Sequence, residues 1–366
     1  MAHNSESFYK VKNLFNNFFS MTETKAANTA MIFRLRRQRN QLLKNTQPIS
    51  SEYQQAIKEY WRPYKSISVK YHQLYSSRNG LKDVRYIPDD LYYTVIDQHF
   101  NNRKYGWGVN DKNYYSLLFS DVKQPEVVVR KINGIFYDAF YHILSERQAM
   151  ELCGREDRLI IKPANETGGS RGIKFWDKKS GISNLRNIFG GGHNYVAQKL
   201  IVQHESLSEI HSSSVNTLRV MSLLMNGKVN ILSTVLRMGV NGNKVDNASA
   251  GGITCGVLDN GKLKNVAYSA DGVRYDKHPQ GYVFSNCVIP NYKKVIQMVE
   301  TCHERMGHFR LVSWDIAIGN DAEPILIEAN LRNGECDFHQ YNNGPLFGDL
   351  TDQVLAEVFG KKKIEI

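Results

Sequence analysis

Residues 311 to 331, LVSWDIAIGNDAEPILIEANL, place two acids inside an otherwise apolar strand pair, and few chain arrangements tolerate that. Val312 to Ile318 and Ile325 to Leu331 are strand-like, and Gly319 to Pro324 supply turn chemistry between them. A symmetric hairpin has its centre between Asp321 and Ala322, which sets Asp315 opposite Glu328. Asn330, two residues further on, points to the same face as Glu328. Like charges facing each other across a ladder are destabilising. A cation between them removes the conflict. Two carboxylates and an amide oxygen are hard ligands that leave positions for waters and phosphate oxygens, as Mg²⁺ prefers. The alternative is a slipped register in which each acid meets solvent or a basic partner.

A second stretch, DRLIIKPANETGGSRGIKFWD at 157 to 177, reads as two strands joined by a glycine loop. Leu159 to Ile161 form a short apolar run, and Gly172 to Trp176 alternate like a second strand. Between them lie Gly168, Gly169, Ser170 and Arg171, with Gly172 closing the loop. Either this is an ordinary glycine turn, or its backbone amides wrap a phosphate chain at which Lys162 aims a cation from the strand end.

Around these stretches the pattern is helical first and β-rich afterwards. Phe8, Val11, Leu14, Phe15, Phe18 and Phe19 recur at helical spacing, as do Ile57, Tyr60 and Trp61, so residues 7 to 76 read as helical. Pro88 before Asp89 and Asp90 opens a helix, and Asp111 caps another. From about residue 126 short strands take over, with Asn133-Gly134 and Asn226-Gly227 as hairpin turns. Helices follow at 145 to 153, 290 to 306 and 349 to 359. Blocks of helices and strands without regular βαβ alternation predict an α+β fold.

Composition narrows the class. No apolar stretch in the 366 residues approaches the roughly 20 needed to span a bilayer, and Asn4 to Ser7 lack signal-peptide character, so the expected location is cytoplasmic. The five cysteines are far apart and form no C-x-x-C pair, so neither a disulfide framework nor a zinc site is indicated. The net charge of +11 is concentrated in Arg34, Arg36, Arg37 and Arg39 with Lys44, and again in Lys361 to Lys363. No nucleic-acid module surrounds either block, so no nucleic-acid partner is expected. The first block reads as solvated helix surface, with contact to a membrane surface or partner as the next reading. His303 and His308 lie near a helix end without a ligand set and read as capping or surface residues. Cys255 and Cys336 read as loop residues with no nucleophile signature. Tyr92, Tyr93, Tyr114 and Tyr115 read as packing.

These residues together resemble the ATP-grasp superfamily. The resemblance covers residues 105 to 352 and is strongest to the sugar-transfer-associated and teichuronopeptide-type branch, whose leader region residues 50 to 104 also resemble. It implies two α+β subdomains clasping ATP behind a helical N-terminal extension: residues 1 to 104, then 105 to 200 with the phosphate lid, then 201 to 366 with the metal site. Lys112 in VNDKNYY matches the first phosphate-binding lysine, and Lys162 in IIKPANETGGSRGI the second. The linker AQKLIVQHE is similar to the adenine-binding segment, so Gln198, Lys199 and Leu200 are implied to border the base and Glu205 to hold the ribose hydroxyls. Asp315, Glu328 and Asn330 match the magnesium motif. Arg219, Arg237, Asn247, Gly251 and Gly252 match the arginines and N…GG segment that face the γ-phosphate and acyl substrate in the amino-acid-adding branch. Gln198 replaces an acid of many relatives. Ser313 stands where some ligases carry an arginine, leaving Arg237 and Arg332 as its replacements.

The activity implied by the resemblance is carboxylate–amine ligation with ATP and Mg²⁺ through an acyl phosphate, as in glutamate-ligase-type enzymes, in surface polysaccharide or amino-acid-modified sugar synthesis. The implied substrates are a small or sugar-linked carboxylate and an amine. A glycosyltransferase or membrane surface is the implied contact of the basic N-terminal segment. The rival readings are a kinase acting on a sugar or polyol hydroxyl, and a nucleotide-binding assembly protein without turnover.

Overall fold

The computed structural model describes residues 24–44, 46–165, 171–247 and 251–360. The aromatic residues Phe8 to Phe19, the lysines at 361 to 363, and Gly168, Gly169 and Ser170 lie outside the described residues.

Among the described residues, thirteen strands form two antiparallel sheets. The smaller contains β1 (Val127–Ile132), β2 (Ile135–Tyr137), β3 (Ile143–Leu144), β4 (Arg158–Pro163), β5 (Lys174–Asp177) and β6 (Tyr195–Lys199) in the order β3-β2-β1-β6-β4-β5. The larger contains β7 (Thr217–Met225), β8 (Lys228–Met238), β9 (Ile253–Val257), β10 (Leu263–Ser269), β11 (Arg274–Tyr275), β12 (Leu311–Ile318) and β13 (Pro324–Asn330), in the order β11-β10-β9-β8-β7-β12-β13. The antiparallel pairing makes the α+β class explicit.

Local chemistry accounts for the turns. Asn133 and Gly134 take φ of 49° and 84°, and Asn226 and Gly227 take 56° and 72°, the left-handed pairs that a two-residue hairpin requires. Ser145 caps helix Glu146–Arg155 through a capping box with Gln148. That helix and Gly181–Phe189 cover the small sheet, burying Met150, Cys153, Leu185 and Phe189 against Val129, Leu159, Ile161 and Trp176.

The large sheet is covered on both sides, which is why β7 and β12 are buried along nearly their whole length. Helix Tyr292–Glu304 packs on one face through Val295, Val299 and Cys302. On the other lie helices Ser51–Trp61 and Thr351–Phe359 and the helical run from Asp89 to Phe100, whose Ile57, Trp61, Tyr92, Ile96 and Leu355 share a core with Met221, Leu223 and Leu311. The N-terminal helices therefore complete the core of the large sheet.

Three expectations need correction here. The basic block lies on a helix over 24–42, yet half of it is docked: Arg36 pairs with Asp90 at 2.8 Å, and buried Arg39 stacks over Tyr71 at 4.8 Å. His303 is no surface or capping residue; it is fully buried and bonded to Ser222 and the Phe309 carbonyl, and burial pushes its pKa down to about 4. Cys255 lies on β9 and Cys336 opens helix Cys336–Asn343, so neither is in a loop, and burial pushes both thiols up, Cys255 to about 12.

Candidate functional site

Asp315 pairs with Glu328 across β12 and β13, as the hairpin argument expects, but by a different route. The turn pairs Ile318 with Pro324 and so is centred on Asp321; Ala322 adopts φ 63°. Leu326 pairs with Ile316 and Glu328 with Asp315, so Ile327 is an extra residue. The bulge at Ile327 moves the register by one and restores the pairing. On the other side Asp315 pairs with Arg219 of β7. Glu328, Asp315 and Arg219 thus stand in one row across three strands.

That row resolves the like-charge conflict with side chains of the protein itself. Arg219 donates through Nε and Nη2 to the two oxygens of Asp315, at 2.8 and 2.7 Å, and Arg237 adds Nη1 at 3.2 Å. Lys112 Nζ lies 2.6 Å from Glu328 Oε1. Burial acts to raise the Asp315 pKa, but the two arginines outweigh it and hold the carboxyl below its usual value. The basic partners, assigned above to a slipped register, are present with the register intact. Arg219 also pairs with Glu335, and Arg237 meets Asn247 and lies 3.6 Å from Asp246. Both arginines are committed to acids, which limits their freedom to follow a reacting group.

A cavity of about 1010 Å³ lies between the two sheets. Strand alternation aims Ile160 and Lys162 of β4 into it while Leu159 and Ile161 face the helices. Among the described residues nine cationic side chains line it, including Lys112, Arg171, Lys199, Arg332 and Lys244, against four carboxylates, Asp246, Asp315, Glu328 and Glu335. Ile160, Ile173, Phe175, Leu200 and Ile327 give the wall an apolar part. A flat apolar group with a polyanionic tail matches this distribution. Burial first and Lys112 second push the Lys162 pKa down to about 8, since both oppose its charge.

The structure gathers most, not all, of the expected site. Lys112, Lys162, Arg171, Lys199, Leu200, Arg219, Arg237, Asn247, Asp315, Glu328, Asn330 and Arg332 line the cavity. Glu205 does not: it is exposed at the start of a one-turn helix, Glu205–Ser208, because the chain turns there to bury Leu207. Gln198 is buried within the small sheet, outside the cavity lining. Gly172 also lies outside the lining; its φ of 80° and the Pro163 ring, 2.8 Å from an added Cβ, explain the glycine. Gly251 and Gly252 likewise act through the backbone. An added Cβ on Gly252 would meet the Asp246 carbonyl oxygen at 2.2 Å, so glycine lets the segment fold back and present Asn247.

Sequence reasoning passed over Glu335 and the serines 212 to 214, which line the cavity, and weighed Asp246 only as a partner of the arginines, where Arg237 indeed lies near it. Glu335 follows Asn333-Gly334, with Asn333 at φ 56°. That Asn-Gly turn directly after β13 is the signal that could have found it. The Tyr92 hydroxyl donates to the Gly334 carbonyl at 3.0 Å and steadies the turn.

Among the described residues no group of three His, Cys, Asp or Glu side chains could hold a metal ion. Asp315, Glu328 and Asn330 nonetheless form an all-oxygen donor set facing one cavity, suited to a hard cation that takes its remaining ligands from water or phosphate. The set fits such an ion.

The model of the family described as sugar-transfer associated ATP-grasp matches residues 94–354. The chain belongs to this family. Its fold is accordingly the ATP-grasp fold, with the cavity between the two sheets. No curated protein matches the chain. Among solved structures, this ATP-grasp protein is similar to an L-amino acid ligase from Bacillus licheniformis, at 14% identity and a TM-score of 0.39, over 69% of this chain and 48% of that one. It is also similar to D-alanyl-alanine synthetase A from Vibrio cholerae, at 16% identity and 0.40, over 68% and 65%. A third is a D-Ala:D-Ser ligase from Enterococcus faecalis, at 15% identity and 0.41, over 69% and 61%. The chain thus spans less than two thirds of the length of each.

Proposed function

We propose that this protein is an ATP-dependent carboxylate–amine ligase acting on a sugar-linked or small acid in surface polysaccharide synthesis. One observation carries the reading: in a sugar-transfer-associated ATP-grasp chain, a cavity with an apolar wall gathers, among the described residues, nine cations around four carboxylates. Such a surplus suits a nucleoside triphosphate together with a second anion.

Ile160 and Leu200 would flank the base, while Lys112 and Lys162 would hold the phosphate chain. Asp315, Glu328 and Asn330 would hold Mg²⁺, which when bound neutralises charge on the β- and γ-phosphates. A substrate carboxylate oxygen attacks the γ-phosphorus, and the bond to the ADP oxygen breaks. The amine nitrogen then attacks the acyl carbon, the C–O bond to phosphate breaks, and the ammonium proton leaves. Arg237, from the fixed position its acids give it, and Arg332 would offset charge on the acyl oxygen. The protein's task is mostly positioning.

Hydroxylamine trapping tests the reading. ATP, Mg²⁺ and a panel of amino acids and uronic acids should give a hydroxamate with equimolar ADP. ADP formation with a sugar or polyol and no hydroxamate would instead identify a kinase. Nucleotide binding without turnover would leave an assembly role.

A further inference from the structure

Lys112 and Glu328 form a contact with which the proposed ligands compete. Their atoms are 2.6 Å apart, and the side chains are 12% and 23% exposed, so each is the other's counter-charge at the cavity wall. Both are also expected to serve a ligand, the lysine a phosphate and the carboxylate a cation. In this geometry the pair takes up one N–H of Lys112 and one oxygen of Glu328, and each charge is offset by the other.

The backbone around Lys112 is held. Its N–H donates to the Ala164 carbonyl at 2.9 Å, and Asp111 accepts from the Asn113 N–H at 2.8 Å. The side chain is not held in the same way: a four-carbon stem ends in a compact ammonium that can turn its three donors to another acceptor. Asp315 differs, because the planar Arg219 fork grips both of its oxygens and is buried. Glu328 is therefore the carboxylate that can be released. A cation approaching alone meets the ammonium first. A polyphosphate offers Lys112 a more highly charged partner and brings oxygens that a two-carboxylate site lacks.

We propose that Lys112 and Glu328 exchange partners when a polyphosphate enters, so that Lys112 makes metal binding conditional on the nucleotide. The inference rests on the reading of the cavity as an MgATP site. By linkage the coupling is reciprocal: whatever factor the nucleotide adds to metal affinity, the metal adds to nucleotide affinity.

Mn²⁺ binding to the full-length chain, followed by electron paramagnetic resonance with and without ADP, tests this without turnover. Wild-type protein should bind Mn²⁺ about tenfold or more tightly with ADP than without it. Lys112→Met should tighten ADP-free Mn²⁺ binding by about tenfold and shrink the gain from ADP. Lys244→Met removes a cation of the same cavity whose ammonium lies over the Phe175 ring, 5.9 Å from its centroid, rather than beside Glu328, so it controls for charge alone. It should change ADP-free Mn²⁺ affinity by less than about threefold. Glu328→Gln gives the reverse readout: metal-free ADP should bind more tightly, because Lys112 no longer has to leave an acid. Equal effects of the two lysine variants, or unchanged ADP affinity in Glu328→Gln, would overturn the exchange. Wild-type protein that binds neither ADP nor Mn²⁺ would overturn the MgATP reading together with it.

Discussion

Asp315 and Glu328 face each other as equals in the ladder but not in energy. Asp315 is buried between two buried arginines, so Asp315→Asn leaves those cations under-compensated. Its expected cost is about 3 kcal/mol, by analogy with broken buried pairs. Glu328→Gln, at a pair 12% and 23% exposed where the amide oxygen can still accept from Lys112, should cost less, about 1 kcal/mol. Urea unfolding of the two variants checks the contrast, and equal costs would mean that the arginines find other partners. Lys162 supplies a pH prediction. Its ammonium, with Lys112, Glu328, Asp315 and Asp246 around it, titrates near pH 8, charged below and neutral above. A polyphosphate binds the charged form, so ADP affinity should be full near pH 7 and fall as pH rises through 8. Calorimetry between pH 6.5 and 9.5 should show this step in wild type and not in Lys162→Met.

Among elements, the helix over 24–42 has two faces with different work. Leu35, Arg36 and Arg39 turn toward the body, and Asn28 reaches the Thr94 carbonyl and Gln98. Phe33, 71% exposed, stands with exposed Arg34 and Arg37 on the outside, and residues 24 to 44 contain no acid. Arg39→Ala should therefore destabilise the fold by about 1 to 3 kcal/mol, while Arg37→Ala stays within about 0.5 kcal/mol. Thermal unfolding separates them. The outer face is where a membrane surface or protein partner would meet this helix. Vesicles rich in phosphatidylglycerol should sediment the wild-type chain at low salt and release it when Arg34→Glu and Arg37→Glu are combined. Equal sedimentation of both would remove the outer face from that role.

At the scale of the molecule, the small sheet has its own core, while the large sheet shares its interior with the N-terminal and C-terminal helices. Among the described residues, His204 N–H donates to the Ile318 carbonyl where the chain passes from the small sheet to the large one. Lys112 joins Ala164 on one side of the cavity to Glu328 on the other. A nucleotide lying between the sheets adds a further tie. At a hundredfold excess over its dissociation constant it should add about 2.7 kcal/mol of stability. Amide hydrogen exchange should show the largest slowing in β4 to β6, the sheet with the smaller core. Slowing confined to β7 to β13 would place the ligand on the large sheet alone.

What could be read in advance was local. The apolar run Leu159 to Ile161 set Lys162 at a strand end, the Asn-Gly pairs marked two hairpins, and a helix was expected at 145 to 153, because these depend on neighbours a few residues apart. Even the Asp315 pairing was legible, although a bulge at Ile327 was needed to deliver it. Helix Cys336–Asn343 and strands β9 to β11 escaped because burial against distant elements, rather than periodicity, defines them. Charge compensation lay beyond local reading altogether. Arg219 is 96 residues from Asp315, and Lys112 is 216 from Glu328. Only the folded sheets bring those cations to those acids, expose Glu205, draw in Glu335, and divide one run of arginines between the core and the solvent. Short-range sterics and turn chemistry act along the chain, whereas electrostatic partnership is a property of positions in space.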